Sequence, residues 1–296
     1  MKRFLSIFIC GLILGVGIAK AQDASTTSAE VRGPWMNIIS TETGFVPPVS
    51  SENRGASLWQ STNILVGYRI NEDYSVSFLQ GISNSFFDTG VSENGAYSLE
   101  HTILGISRKN LGEIAGADLS ARLGALIPTG RLTEDENKMG LLGSLEPSIK
   151  GSKTWGRWSL ETSLAQRVSF YEKETWDEYR YASKDAKAKT YMGPRTNSPT
   201  RSIVTLIPKF QVIDKLALGV ELQYEVDWRF GENLPHHRAI VTPEVSYDVI
   251  DNLTLAAGYA WGRRPGGSAS EISNYWLHDP SLDHNSTAYF NVSYIF

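Results

Sequence analysis

Residues 216–229 read Leu-Ala-Leu-Gly-Val-Glu-Leu-Gln-Tyr-Glu-Val-Asp-Trp-Arg. The even positions from Leu216 to Trp228 carry apolar side chains, and the odd positions from Gly219 to Arg229 are mostly polar. Successive side chains of a β-strand point to opposite faces of the sheet, so this alternation is typical of a strand with one apolar and one polar face. The segment therefore predicts a long amphipathic strand.

The same alternation recurs in residues 157–170 and 118–127. Many such segments are about ten to fourteen residues long, whereas the strands of a soluble β-sandwich usually have about five or six. A strand that crosses a bilayer at a tilt needs about 9–11 residues. The sequence therefore predicts an all-β fold, a closed antiparallel transmembrane β-barrel whose apolar face meets lipid.

Short and long connections alternate between the predicted strands. Short links occur at 71–73, 152–156, 213–215 and 250–252, long ones at 84–95, 129–140, 172–201 and 262–283, and an intermediate one at 109–116. Short turns on one side and longer loops on the other are typical of membrane barrels, and termini on the same side require an even strand number. We predict about 12 strands, with ten or fourteen as alternatives.

Two of these strands are less clear in the sequence than the others. The strand needed for an even number is placed near 34–44, around Trp35 and Ile38. The strand at 96–108 can be interpreted with either set of side chains facing inward. We expect both strands in the barrel wall, and we leave the inward face of the second one open.

Three prolines fall on the apolar faces of predicted strands. Pro147, Pro208 and Pro243 each lead towards a short turn, and the last two belong to a repeated pattern, Val-Ile-Asp-Lys-Leu and Val-Ile-Asp-Asn-Leu. A proline inside a strand lacks the N–H that a ladder needs. These prolines therefore count against the strands, and a β-bulge at these positions would remove the conflict.

The first 21 residues have the pattern of an export signal. Lys2 and Arg3 precede an apolar run at 4–18, and Ala19 and Ala21 provide small residues before a cleavage point at Gln22. The alternative, an uncleaved anchor, would need a longer apolar run of about 20 residues. We expect residues 1–21 to be a signal peptide read by the Sec pathway and residues 22–296 to form a single outer-membrane β-barrel domain.

The charge balance excludes one class of partner. Removing Lys2, Arg3 and Lys20 leaves 25 of the 28 basic residues against 32 acidic ones, a formal charge near −7. Nucleic acid is therefore not an expected partner. The one cysteine, Cys10, lies within the signal peptide, so thiol catalysis and cysteine metal sites are not expected after cleavage, and no motif suggests a cofactor or a metal.

The last residues carry a family resemblance. Phe290, Val292, Tyr294 and Phe296 lie on one face of the last predicted strand, and the chain ends on an aromatic residue. This pattern resembles the C-terminal β-signal of Gram-negative outer-membrane β-barrels, the porin-like superfamily. The resemblance implies a location in the cell outer membrane, with the barrel-assembly machinery, outer-membrane lipids and lipopolysaccharide as partners.

The polar faces of the predicted strands carry acids and bases in nearly equal number. The bore of a barrel with about 12 strands either holds water or is filled by paired side chains. We predict a narrow passive, porin-like channel for small polar solutes. The alternative is a barrel plugged by ion pairs that acts as a receptor, adhesin or anchor. The predicted lumen-lining residues are Arg122, Glu146, Lys150, Arg157, Glu161, Arg167, Lys209, Glu221, Glu225, Asp227, Arg229, Arg238, Glu244 and Asp248.

An enzyme is a third hypothesis. His284 and Ser286 lie two residues apart at the start of the last predicted strand, on its lipid-facing side. The segment 284–288 looks a little like the His-x-Ser motif of outer-membrane lipid A deacylases and phospholipases, which implies a base and a nucleophile. It departs from that motif because no acid or amide follows at the expected position. A polar junction between loop and strand explains the two residues equally well, so no catalytic residue is predicted.

Overall fold

The computed structural model describes residues 33–46, 57–88, 97–129, 140–181, 189–263 and 287–295. Fifteen strands make up the regular structure of these residues. They are β1 (Gly33–Val46), β2 (Ser57–Arg69), β3 (Tyr74–Asp88), β4 (Tyr97–Leu99), β5 (Thr102–Ile114), β6 (Ala117–Ile127), β7 (Leu141–Trp155), β8 (Trp158–Tyr171), β9 (Thr175–Tyr181), β10 (Lys189–Thr196), β11 (Thr200–Ile213), β12 (Leu216–Trp228), β13 (His236–Ile250), β14 (Leu253–Arg263) and β15 (Thr287–Ile295).

The strands form a closed antiparallel barrel. Each wall strand pairs with its neighbours in chain order, and β1 pairs with both β2 and β15, which closes the sheet. Strands β4 and β5 both pair with β3, one after the other, and together count as one wall strand. The wall therefore has 12 strands. The predicted fold class and strand number are therefore confirmed, and the strand expected near 34–44 is β1. Strands β9 and β10 form a separate two-stranded sheet.

Turns of few residues join the strands at one end of the barrel, and longer connections join them at the other. The link predicted as intermediate, 109–116, belongs to the short end, because β5 continues to Ile114 through a register shift after Arg108. Asn110 and Gly112 take up this shift with φ angles of 55° and 125°. Within the described residues, no helix has the length and apolar character needed to cross a bilayer.

The two faces of the sheet differ in chemistry. Large apolar side chains project from one face, where Leu218 and Phe290 are 48% and 47% exposed. Hydroxyl and charged side chains crowd the other face, where Ser148 and Thr205 are only 1% exposed. Side chains crowd together on the concave face of a closed sheet and spread apart on the convex face, so the polar face is the inner one. The outer face is apolar, as a barrel surrounded by acyl chains requires.

A one-residue slip interrupts the wall strand between β4 and β5. Ile82 pairs with Leu99 and Leu79 pairs with Ile103, so one extra residue lies opposite β3 in between. Such a slip exchanges the inward and outward faces of a strand. Both interpretations of the segment 96–108 therefore apply, one on each side of the slip.

The three strand prolines do not produce bulges. Pro147, Pro208 and Pro243 each keep a cross-strand partner on one side. On the other side the pairing is interrupted around the proline and resumes in the same register. The conflict is met without a bulge, because the neighbour that is still paired holds the strand in register while the missing N–H weakens one ladder only.

Candidate functional site

Most of the residues predicted to line a lumen lie on the inner face of the barrel. Lys150, for example, is opposite Ser120 on β6 and Ser163 on β8, both on the polar face of the sheet. The same register argument applies to the other members of this set. The predicted residues on the inner face are Arg122, Glu146, Lys150, Glu161, Arg167, Lys209, Glu221, Glu225, Asp227, Arg238, Glu244 and Asp248.

Two predicted residues lie at the rims instead. Arg157 belongs to the turn before β8 and is exposed, and its guanidinium donates a hydrogen bond to the Val212 carbonyl at 3.2 Å. Arg229 follows β12 at the opposite end, with its Nη1 3.7 Å from the Glu232 carboxylate. Both differ from the prediction because β8 begins at Trp158, one residue later than the alternation suggests, and β12 ends at Trp228, one residue earlier. A hydrogen bond with His236 holds the pKa of Glu232 below its usual value.

Ion pairs on the inner face towards the long loops connect β7 to β13. Glu146 accepts a hydrogen bond from Arg167, and Arg201 reaches Asp227 at 2.5 Å and Glu225 at 3.6 Å. Arg238 lies 3.8 Å from Glu225 on its other side. We call this set, Glu146, Arg167, Arg201, Glu225, Asp227 and Arg238, the outer ion-pair band.

Basic residues lie nearer the short turns on β6, β7 and β11. We call Arg122, Lys150 and Lys209 the basic wall. Lys209 Nζ binds Glu161 at 3.1 Å, and Lys150 has Glu161 and Glu221 as well as Arg122 and Lys209 within electrostatic range. Glu161 therefore offsets part of the repulsion between these like charges.

Acidic residues lie on both sides of the closing seam between β15 and β1. We call Glu221, Glu244, Glu42 and Glu100 the acidic wall. Glu42 lies within electrostatic range of Glu244 and Glu100, and Glu221 lies at the boundary, within range of both Glu244 and Lys209. Hydroxyl groups hold two of the carboxylates, because Tyr289 donates to Glu244 at 2.7 Å and Ser61 donates to Glu100 at 2.8 Å.

Sequence reasoning missed three of these residues on the inner face. Arg201 was assigned to the end of a long loop. The alternation of β11 nevertheless places it on the same face as Lys209, and it pairs in register with Asp227 on β12. Glu42 lies on β1, the strand that was placed only to give an even strand number, and it pairs in register with Ser61 and Asn291. Glu100 lies at the slip between β4 and β5, where alternation cannot be used.

Glycines on the inner face make room for large neighbouring side chains. A Cβ at Gly105 would lie 2.7 Å from the Arg122 guanidinium, which passes over this position to reach the Ser77 hydroxyl at 3.3 Å. A Cβ at Gly258 would lie 2.4 Å from the Tyr289 ring, which spans β14 to reach Glu244. The glycines therefore allow charged and aromatic groups to lie flat along the wall.

The ion pairs run along the wall and not across the bore. Every pair on the inner face within the described ranges joins strands that are neighbours in the sheet: β7 with β8, β8 with β11, β11 with β12, and β12 with β13. The longer reaches, from Arg122 to Ser77 and from Tyr289 to Glu244, cross one intervening strand. An arrangement of this kind fixes charge on the wall without bridging opposite sides.

The fold is similar to that of a bacterial outer-membrane channel. This channel, from Pseudomonas putida F1, superimposes with a TM-score of 0.55 at 12% identity, over 93% of this chain and 98% of that one. The NanC porin has a TM-score of 0.47 at 9% identity, over 86% and 97% of the two chains. The KdgM porin has a TM-score of 0.45 at 12% identity, over 88% and 99%. No protein-family model and no curated protein matches the chain.

The remaining predicted residues concern assembly and catalysis. Phe290 and Tyr294 lie on the outer face of β15, 47% and 37% exposed, and Val292 is on the same face. Phe296, the last residue of the predicted assembly signal, lies outside the described residues. His284 and Ser286 also lie outside them, so the lipid-hydrolase hypothesis stays a prediction.

Proposed function

We propose that this chain is a narrow passive channel for small polar solutes in the outer membrane. The observation that supports it best is the direction of the inner ion pairs, each of which joins neighbouring strands in the part of the chain that the structure describes. Pairs along a wall neutralise charge locally and leave the middle of a barrel to water, whereas a plug needs contacts between opposite walls. The similarity of the fold to a solved outer-membrane channel agrees with this proposal.

The basic and acidic walls would act on a solute in transit. Lys150 and Lys209 lie on one side of the boundary residue Glu221, and Glu244 and Glu42 lie on the other. Opposite charges on two sides of a narrow, low-dielectric passage produce a transverse field that orients dipolar solutes. The channel would therefore prefer small polar molecules. Apolar molecules would pass more slowly, because they would displace water that is hydrogen-bonded to the charged walls without replacing its hydrogen bonds.

The cellular setting belongs to the same proposal. Residues 1–21 would direct export through the Sec pathway and be removed, and residues 22–296 would form the mature barrel. The apolar outer face and the aromatic face of β15 fit contact with outer-membrane lipids, with lipopolysaccharide and with the barrel-assembly machinery. These partners follow from the chemistry of the surface and from the resemblance of the C-terminal segment.

Planar-bilayer recording tests the channel directly. The purified barrel should give single-channel steps, and Glu221→Gln should change the anion-to-cation permeability ratio about two- to threefold towards anions, as expected for one charge removed at about 6–8 Å in water-like surroundings. Asp214→Asn is the matched control, because it removes one carboxylate from a short turn. A silent bilayer, or equal shifts in the two variants, would contradict the proposal.

A further inference from the structure

A groove opens on the outer face of the barrel near the short turns. It has a volume of about 520 Å³ and lies between the end of the β5–β6 hairpin and the adjacent parts of β7 and β8. Gly151 of β7 lines it and pairs in register with Leu119 and Thr162. The residue before it, Lys150, is on the inner face, and successive residues of a strand face opposite ways. The groove therefore faces the acyl chains and not the bore.

The groove is hollow because small residues lie between large ones. A Cβ at Gly151 would have the Thr162 hydroxyl 3.0 Å away and Ala117 Cβ 3.9 Å away, so short side chains surround this position. The larger Ile114 and Trp155 stand at its edge. Its volume is in the range of about 300–1,000 Å³ that is typical of sites for small molecules. Water does not fill a hollow in the hydrocarbon region, so an acyl chain gains van der Waals contacts there.

One cation lines this apolar groove. Lys153 lies two residues after Gly151 on the same face and pairs in register with Leu160. Its Nζ donates a hydrogen bond to the Ala115 carbonyl at 2.5 Å and forms no ion pair within 4 Å in the ranges that the structure describes. An ammonium group has three N–H donors, so two of them stay available for the oxygens of a ligand.

The turn beside the groove is positively charged. Residues 151–160 contain Lys153 and Arg157 and no acid. Glu113 of the neighbouring hairpin offsets part of this charge, but it pairs with Asp118 on the inner face of the sheet. The outer side of this rim therefore favours an anion next to the groove.

Two tryptophans indicate the depth of the groove in the membrane. Trp155 and Trp158 pair with one another at the end of the β7–β8 hairpin and are 47% and 48% exposed. Tryptophan is enriched where lipid headgroups meet the acyl chains. Lys153 is two residues from Trp155 on the same face, so its ammonium group is at headgroup level, and Gly151 lies deeper, beside the acyl chains.

We propose that this groove binds one glycerophospholipid with a net negative headgroup. The phosphate would accept hydrogen bonds from Lys153, and one acyl chain would fill the hollow over Gly151. An anionic lipid gains more at this rim than a zwitterionic one, whose own cation the positive turn repels. Short turns face the periplasm in barrels of this kind, so the lipid would come from the periplasmic leaflet. The inference does not depend on whether the bore conducts.

Native mass spectrometry of the purified barrel tests the site. The probes are phosphatidylglycerol and phosphatidylcholine with the same acyl chains, added in equal amounts to the barrel in detergent. The wild type should retain one phosphatidylglycerol in preference to phosphatidylcholine by about fivefold, as expected for one lysine near an anionic lipid. Lys153→Met should bring this ratio close to one. Ala117→Leu, which fills the groove and keeps the charge, should lower the retention of both lipids about threefold.

Lys215→Met is the matched control for the charge. Lys215 also lies in a short turn and donates to a backbone carbonyl, that of Val249 at 3.2 Å, so the same charge and the same kind of contact are removed elsewhere on the rim. A fivefold preference that is lost in Lys153→Met and kept in Lys215→Met supports the site.

Three results would overturn the proposal. They are equal retention of the two lipids by the wild type, equal loss of preference in Lys153→Met and Lys215→Met, and unchanged retention in Ala117→Leu. Heat-dependent migration in gels shows that each variant is folded before it is measured.

Discussion

At the scale of single residues, glycines on the inner face decide where the large side chains lie. Tyr289 can cross β14 to Glu244 because Gly258 has no Cβ in its path. Arg122 reaches Ser77 over Gly105 in the same way. In both cases the glycine leaves room for a neighbouring polar side chain to lie against the wall. The side chain therefore stays out of the passage.

Replacing Gly258 should therefore destabilise the barrel. A methyl group 2.4 Å from the Tyr289 ring forces the ring away and weakens its 2.7 Å hydrogen bond to Glu244. We expect Gly258→Ala to lower the free energy of unfolding by about 1–3 kcal/mol, as overpacking usually does. Urea unfolding in detergent measures this. Gly219→Ala is the control, because its new methyl would meet the flexible Lys209 side chain at 3.3 Å and the Pro208 carbonyl at an ordinary contact distance of 3.7 Å. Equal losses in both variants would contradict the explanation.

At the scale of the strand, the slip between β4 and β5 determines which face of the segment points inward. The Gln80 side chain holds this slip in place, since its amide donates to the Glu100 carbonyl at 2.6 Å and accepts from Thr102 at 2.7 Å. The extra residue turns Glu100 towards Ser61 and the acidic wall. The Gln80 side chain, on the outer face of the wall, thus controls the position of the Glu100 charge on the inner face.

Removing the amide should loosen this irregular segment. We expect Gln80→Leu to lower the free energy of unfolding by about 1–3 kcal/mol, because backbone and hydroxyl groups near the slip lose their partners. Hydrogen exchange at residues 97–104 should rise in this variant and stay unchanged in Ile82→Leu, its neighbour on the outer face. Unchanged hydrogen exchange in Gln80→Leu would contradict this explanation and show that backbone pairing with β3 holds the slip without the Gln80 side chain.

At the scale of the whole molecule, closure of the barrel depends on the pairing of its first and last described strands. Ser40 on β1 and Asn291 on β15 form two hydrogen bonds at this seam, of 3.2 and 2.9 Å, and are 3% and 4% exposed. These two residues are 251 positions apart in the chain. The seam forms between distant segments, so its contacts carry a large cost in chain entropy.

Mutation of the seam should affect both stability and folding yield. Asn291→Ala leaves the Ser40 hydroxyl buried without a partner, so we expect a loss of about 1–3 kcal/mol in the free energy of unfolding. The double variant Ser40→Ala, Asn291→Ala should lose less than the sum of the single variants. Additive losses, or a loss as large in Asn252→Ala at an exposed turn, would show that the seam contact is not responsible.

Period-two alternation was enough to predict the strand architecture, because it records at each position whether a side chain meets lipid or a polar interior. It identified twelve wall strands, their two faces and most of the charged positions on the inner one. Which charges compensate one another depends on the folded barrel. Arg201 and Glu225, or Lys209 and Glu161, become partners through strand register, whereas Arg122 and Lys150 form no ion pair within 4 Å in the described part of the chain. Alternation cannot specify this, since it fixes the face of a residue and not the neighbour opposite it, and a single slip at Glu100 reverses even the face.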